Sequence, residues 1–230
     1  MNRKKLLSLL LIMLPVMALQ AQDCRLFFPD ESGSVREMSN FERKDKFTGK
    51  SIQEILDVNR SGGKVVVDVV TRIYDEDEVE ISSHQLQILC ENGVFKVDMS
   101  EYLGDMLKQY QDMDLEMSGD NLTFPSDISV GDNLGDASLN VKVSSGGITV
   151  MNMNVEIKNR NVEAREEITT DAGTFDCYKI NYDMETKMGI MNMTTSATEW
   201  IAEGVGAVKT ESYNKKGKLV SYSLLTDFEK

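Results

Sequence analysis

The side chains with the most chemical character in this sequence are its methionines. There are 14 of them in 230 residues, and several recur at every second position. Met151 and Met153 lead into Val155 and Ile157, while Asn152, Asn154, Glu156 and Lys158 take the alternate places. Met191 and Met193 alternate with Asn192 and Thr194, and Met113 and Met117 flank Leu115 in the same manner. A two-residue period puts each set on one face of a strand. Met151, Met153, Met191 and Met193 are therefore expected to point into the space between sheet layers, with Met113 and Met117 extending that lining. An unbranched, polarizable thioether repacks where branched side chains cannot, so such a wall suits varied apolar ligands. Thioethers also bind Cu(I), but no nearby His or Cys completes a site, and copper is a remote alternative. The plainest alternative is that Met fills gaps in an ordinary core.

Cysteine and histidine offer less. Three Cys and one His are too few for the usual zinc ligand sets, and there is no C-x-x-C. In an oxidising compartment two of the three cysteines should pair. Cys24 with Cys90 is the expected bridge, because tying a loose terminus to a sheet restricts the unfolded chain by roughly 4 kcal/mol. Cys177, between Phe175 and Tyr178 in its local run, then remains a buried thiol. His84 follows Ser82 and Ser83, yet sequence neighbours on a strand face opposite ways and no G-x-S-x-G elbow exists. No catalytic residue, metal site or cofactor is expected, and the chain is read as a non-enzyme. The acidic run Asp75 to Glu78 lacks the glycine and spacing of a calcium loop and reads as a solvated hairpin tip.

The charge balance, 25 Lys+Arg against 38 Asp+Glu for a net −13, argues against nucleic acid, which needs clustered cations. Arg3, Lys4 and Lys5 precede an apolar run from Leu6 to Leu19, the pattern of a secretory signal peptide. Residues 1–21 are assigned to that signal, with cleavage after Ala21, and residues 22–230 to a single β domain. Gln22-Asp23 before Cys24 is not the small-residue context of a lipidated cysteine. No later run is long enough to span a membrane, so the mature chain is expected in the periplasm or outside the cell.

The elements that would carry these side chains are strands. Lys64 to Tyr74 is rich in β-branched residues, Val79 to Cys90 follows, and Asn92-Gly93 turns the chain into Val94 to Asp98. Ala137 to Val143 and Ile148 to Lys158 flank Ser144-Ser145-Gly146-Gly147 as a second hairpin, and five further strands run from Val162 to Phe228. Three hairpins share an aromatic beside a polar tip, at Phe41, Tyr74 and Tyr213. From Ser100 to Gln111, Leu103, Met106, Leu107 and Tyr110 recur at spacings of three and four, which predicts one short helix near residues 100–111. The expected fold class is all-β: an antiparallel meander forming a sandwich or partly open barrel, with that helix covering one end.

Ala172-Gly173-Thr174-Phe175-Asp176-Cys177-Tyr178-Lys179-Ile180, Trp200 to Lys209 and Tyr213 to Leu219 resemble the C-terminal signature of the TapB-like family of exported bacterial proteins. Cys24 with Phe27-Phe28-Pro29, and the turn at Cys90 to Gly93, resemble its N-terminal half; Asp171 stands where that pattern usually has Pro. The resemblance implies an antiparallel β fold and a Gram-negative envelope location, and brings no catalytic residues. The resulting expectation is a non-catalytic exported binding module for an apolar small molecule or partner segment. The alternative is a structural or assembly factor contacting other envelope proteins, and an unusual hydrolase is more remote.

Overall fold

In the computed structural model, residues 24–98, 110 and 112–230 are described, and residues 1–21, expected to be a signal peptide, lie outside them. Thirteen strands follow in order: β1 (Val35–Glu42), β2 (Lys46–Ser61), β3 (Lys64–Tyr74), β4 (Glu80–Glu91), β5 (Val94–Val97), β6 (Asp114–Asp120) and β7 (Leu122–Pro125). The second half comprises β8 (Ala137–Ser145), β9 (Ile148–Thr170), β10 (Gly173–Met188), β11 (Met191–Ala202), β12 (Gly206–Asn214) and β13 (Leu219–Glu229). All pair antiparallel in one sheet, in the order β6-β8-β9-β10-β11-β12-β13-β1-β2-β3-β4-β5-β7. The two edge strands β6 and β7 are consecutive in sequence, separated by Asn121 alone, so the chain itself ties one edge to the other. The sheet thereby curls into a nearly closed barrel.

The expectation of a helix is corrected. The described residues contain none, and the segment expected to form it lies outside them except for Tyr110, which sits in a turn whose carbonyl accepts from the Met113 amide. Spacings of three and four among four apolar residues are too short a signal to fix an element by themselves.

Turn chemistry sets the hairpins. Asn92 and Gly93 both take positive φ, 53° and 74°, as a two-residue turn matched to strand twist requires. At all three aromatic-turn hairpins the register slips beside the aromatic, between Asn40 and Phe41, Ile73 and Tyr74, and Ser212 and Tyr213. A bulge there increases local twist and bends the strand, helping a flat ladder curl.

The curl creates cores on both faces. Trp200, Ile201 and Ala202 go alternately to two clusters, which places those clusters on opposite sides of β11. The larger holds Val65, Val67 and Val69 of β3, Leu86 and Ile88 of β4, Phe95, Phe124, Val162, Ile180 and Ile201. Each such side chain contributes about 1.5–3 kcal/mol by leaving water. Leu26, Phe27 and Phe28, ahead of β1, insert into it, and Cys24 is bonded to Cys90 of β4, which anchors that segment. The smaller cluster gathers Met38, Cys177, Trp200, Val208 and Leu225. Cys177 is the free cysteine, buried, and desolvation pushes its thiol up to about 12.

Candidate functional site

The inner face of the curled sheet lines a partly open cavity of about 350 Å³. Opposite regions of the sheet face each other across it: Phe95 and Phe124 from β5 and β7, Leu139, Val155 and Ile157 from β8 and β9, and Ile201 from β11. Phe27 and Phe28 of the disulfide-anchored segment complete the apolar wall. Its volume falls at the lower end of the range for small-molecule pockets, which are mostly apolar with a few placed polar groups.

Three polar side chains reach this wall: Arg36 from β1, Gln53 from β2 and Glu199 from β11. Arg36 is 4% exposed; its Nη1 donates to Gln53 Oε1 at 3.0 Å and its Nη2 donates to the Ala207 carbonyl. Gln53 in turn donates through Nε2 to Thr71 Oγ1 at 3.3 Å, so the arginine is held from three strands. Gly206, at a φ of +94°, leaves room for it: a Cβ there would lie 2.9 Å from Arg36 Nη1. The Gly-x-Gly of the turn before β12 thus helps seat the arginine as well as reverse the chain.

Glu199 is paired across the ladder with Ile180 and shares the inward parity of Ile201. It is half-buried and lines the cavity. Enclosure raises it above the ordinary carboxylate range, an effect opposed by the charges of Arg160 and Arg36. Among the described residues no group makes a hydrogen bond or ion pair with this carboxyl. Arg160 is 2% exposed and lies behind the cavity wall, its guanidinium 4.4 Å from the centroid of Phe124. Its Nη1 donates to the carbonyls of Thr123 at 2.9 Å and Gly135 at 2.6 Å, stitching β7 to the chain entering β8.

The six methionines fall elsewhere. Met153 is 5% exposed and packs with Leu139, Val141 and Val143, Met151 lies half-buried against them, and Met191 and Met193 are 58% and 60% exposed. Met113 and Met117 are also exposed. None of the six is among the residues lining the cavity, and four exposed sulfurs do not form an inward lining. The period was informative about face: Met151 and Met153 share parity with Val155 and Ile157, and Met193 with Glu199 and Ile201, which do line the cavity. They sit too far along the strands, where the β8–β9 and β10–β11 hairpins project past the enclosed region. His84, on β4, pairs across the ladder with Thr71, and Ser83 beside it is exposed. Among the described residues no cluster of three His, Cys, Asp or Glu could hold a metal, and no helix is long and apolar enough to cross a membrane.

A family model described as DUF3108-like matches residues 31–225, from the segment ahead of β1 to within β13, and so takes in every polar residue of the site. The chain belongs to the DUF3108-like family. Two solved structures share the fold. One, from Bacteroides fragilis, is described as an exported protein with a YmcC-like fold; it aligns over 90% of this chain and 100% of its own with a TM-score of 0.73 and 24% identity. The other, described as a lipoprotein from Parabacteroides distasonis, aligns over 90% of this chain and 100% of its own with a TM-score of 0.75 and 24% identity. Among curated proteins none matches. Within the matched residues, Trp200 to Lys209 contributes Ile201, Gly206 and the Ala207 carbonyl to the site.

Proposed function

We propose that this protein is a non-catalytic binding module of the bacterial envelope whose ligand is an apolar molecule held inside the barrel. The observation that carries this reading is the cavity of about 350 Å³, walled by Phe27, Phe28, Phe95, Phe124, Leu139 and Val155. An apolar-walled volume of that size costs packing energy, since interiors otherwise fill to near-crystalline density. Export is supported by the signal-like segment at residues 1–21 and by the description of the Bacteroides fragilis relative as exported. Placement within the TapB-like family is a finer reading supported by the motifs at Ala172 to Ile180 and Trp200 to Lys209. Cys24, whose sulfur is bonded to Cys90, has no thiol left to lipidate.

Native mass spectrometry of the mature protein after gentle purification tests the reading. Retained mass of a small apolar compound, released on unfolding, is the expected result; a protein that neither retains such a compound nor takes up an apolar fluorescent probe refutes it. A second reading, an assembly factor, is favoured by the exposed apolar hairpin ends at Ile148, Ile190, Met191 and Met193. A defined envelope partner recovered by cross-linking from those ends would support it.

A further inference from the structure

The polar side chains of the cavity narrow the chemistry of its ligand, because two of the three are already engaged within the protein. Both Nη atoms of Arg36 donate, to Gln53 Oε1 and the Ala207 carbonyl, and Gln53 spends its Nε2 on Thr71 Oγ1. Glu199 differs. It lines the same cavity, and among the described residues nothing donates a hydrogen bond to its carboxyl. Its oxygens are not sealed in the wall, so a ligand can reach them. The residues that share its inward parity on β11, Ala197 and Ile201, are apolar and buried, and Ile180 stands opposite it on β10. One unspent acceptor thus stands on an otherwise apolar stretch of wall.

An ionised carboxyl accepts hydrogen bonds and donates none. A ligand that fills the cavity takes solvent away from Glu199, and must either donate to it or leave it desolvated and unpaired. A hydrocarbon or an ether covers the carboxylate and gives nothing back. An ionised acid has no donor either, and it brings a like charge towards Glu199 where the low dielectric magnifies repulsion. A hydroxyl or an ammonium donates directly, and a hydrogen bond to an ionised acceptor is about twice as strong as one between neutral groups. Arg36 lines the same cavity, so an ammonium is attracted by Glu199 and repelled by Arg36, whereas a hydroxyl carries no charge for the arginine to oppose. Donation is the property the two heads share.

We infer, resting on the binding reading, that the cavity takes an amphiphile whose head, a hydroxyl or an amine, donates a hydrogen bond to Glu199 while its hydrocarbon lies against Phe95, Phe124, Leu139 and Val155. Isothermal titration of the mature protein with octanol, octylamine, octanoate and heptyl methyl ether tests this, at a mildly alkaline pH that favours the ionised carboxyl. The ether matches octanol in heavy atoms and lacks only the donor. At least one of octanol and octylamine should bind at least about tenfold more tightly than the ether, as expected for one hydrogen bond to a charged group. Octanol alone marks a neutral head and octylamine alone a cationic one, and octanoate should bind no more tightly than the ether. Glu199→Met removes the acceptor at similar volume and should abolish the preference over the ether. Should that variant fail to fold, Glu199→Gln substitutes a neutral acceptor for the charged one and should reduce the same preference. An ether that binds as tightly as both donors, octanoate as the tightest of the four, or an unchanged preference in the variant overturns the donor inference and leaves the cavity reading standing. Failure of all four probes to bind overturns both.

Discussion

Replacing Gly206 by Ala tests how the turn before β12 and the cavity arginine depend on each other. Gly206 has a φ of +94°, and an added Cβ would stand 2.9 Å from Arg36 Nη1 and 3.4 Å from the Phe27 carbonyl oxygen. Left-handed backbone costs an L-residue about 1–2 kcal/mol. An arginine tip can usually swing away from such a clash, but this one is buried and holds Gln53 and the Ala207 carbonyl. Losing one of those charged hydrogen bonds adds about 1.5–3 kcal/mol, so the expected destabilisation is about 2.5–5 kcal/mol. Gly204 is the internal control: its φ is +70°, nothing lies within 4 Å of its would-be Cβ, and Gly204→Ala should cost the backbone component alone. Urea unfolding reads the difference as a larger fall in midpoint at unchanged slope for Gly206→Ala. In an Arg36→Lys background the excess should shrink, because the two positions share one contact. Equal losses for the two glycine variants, within about 0.5 kcal/mol, would refute the claim that Gly206 makes room for Arg36.

Three further outcomes are expected. Glu199 is raised above the ordinary carboxylate range in the folded protein, so its contribution to stability is full below that ordinary value and lost as pH rises through the raised one; Glu199→Gln should therefore gain on the parent with rising pH, and parallel melting curves would contradict this. Cys177, its thiol pushed up to about 12 and its side chain buried, should resist alkylation at neutral pH until the protein is unfolded, and prompt labelling of native protein would contradict its placement. Mild peroxide should oxidise Met191 and Met193 first and Met153 last, as followed by peptide mass spectrometry, whereas Met153→Leu should cost less than about 1.5 kcal/mol in chemical unfolding.

The strands were legible because their turns and alternation are local properties. Asn92-Gly93 and Gly146-Gly147 mark hairpins by backbone chemistry alone, and the alternation around Met151 and Met193 reports the correct face. A period of two carries no information about height along a strand. β9 has 23 residues, so an inward-parity side chain near its start lies well beyond the cavity lined by Val155 and Ile157. The polar end of the site was missed for a related reason. Arg36 lies in a run of mixed charge that reads as a solvent face, and only tertiary closure turns it inward. Glu199 did carry a signal: it occupies the inward parity shared by Ala197 and Ile201, and a lone acid at such a position is unusual enough to mark a site.

The pairing of β1 with β13 has a consequence for the order in which the protein can fold. Hairpins such as β3–β4 or β10–β11 join neighbours in sequence and can zip within microseconds. The first strand, however, finds its second partner only when the last has been made, some 180 residues later, as between Ser39 and Leu224. Loop closure over that distance belongs to the slow, non-local class, with folding times of milliseconds to seconds or longer. Until it occurs, the outer edge of β1 and the free edge of β13 stand unpaired, each a template for another chain. A chain truncated before Leu219 would keep most of its hairpins yet leave β1 open along its whole length, so its characteristic failure should be edge-to-edge association rather than unfolding.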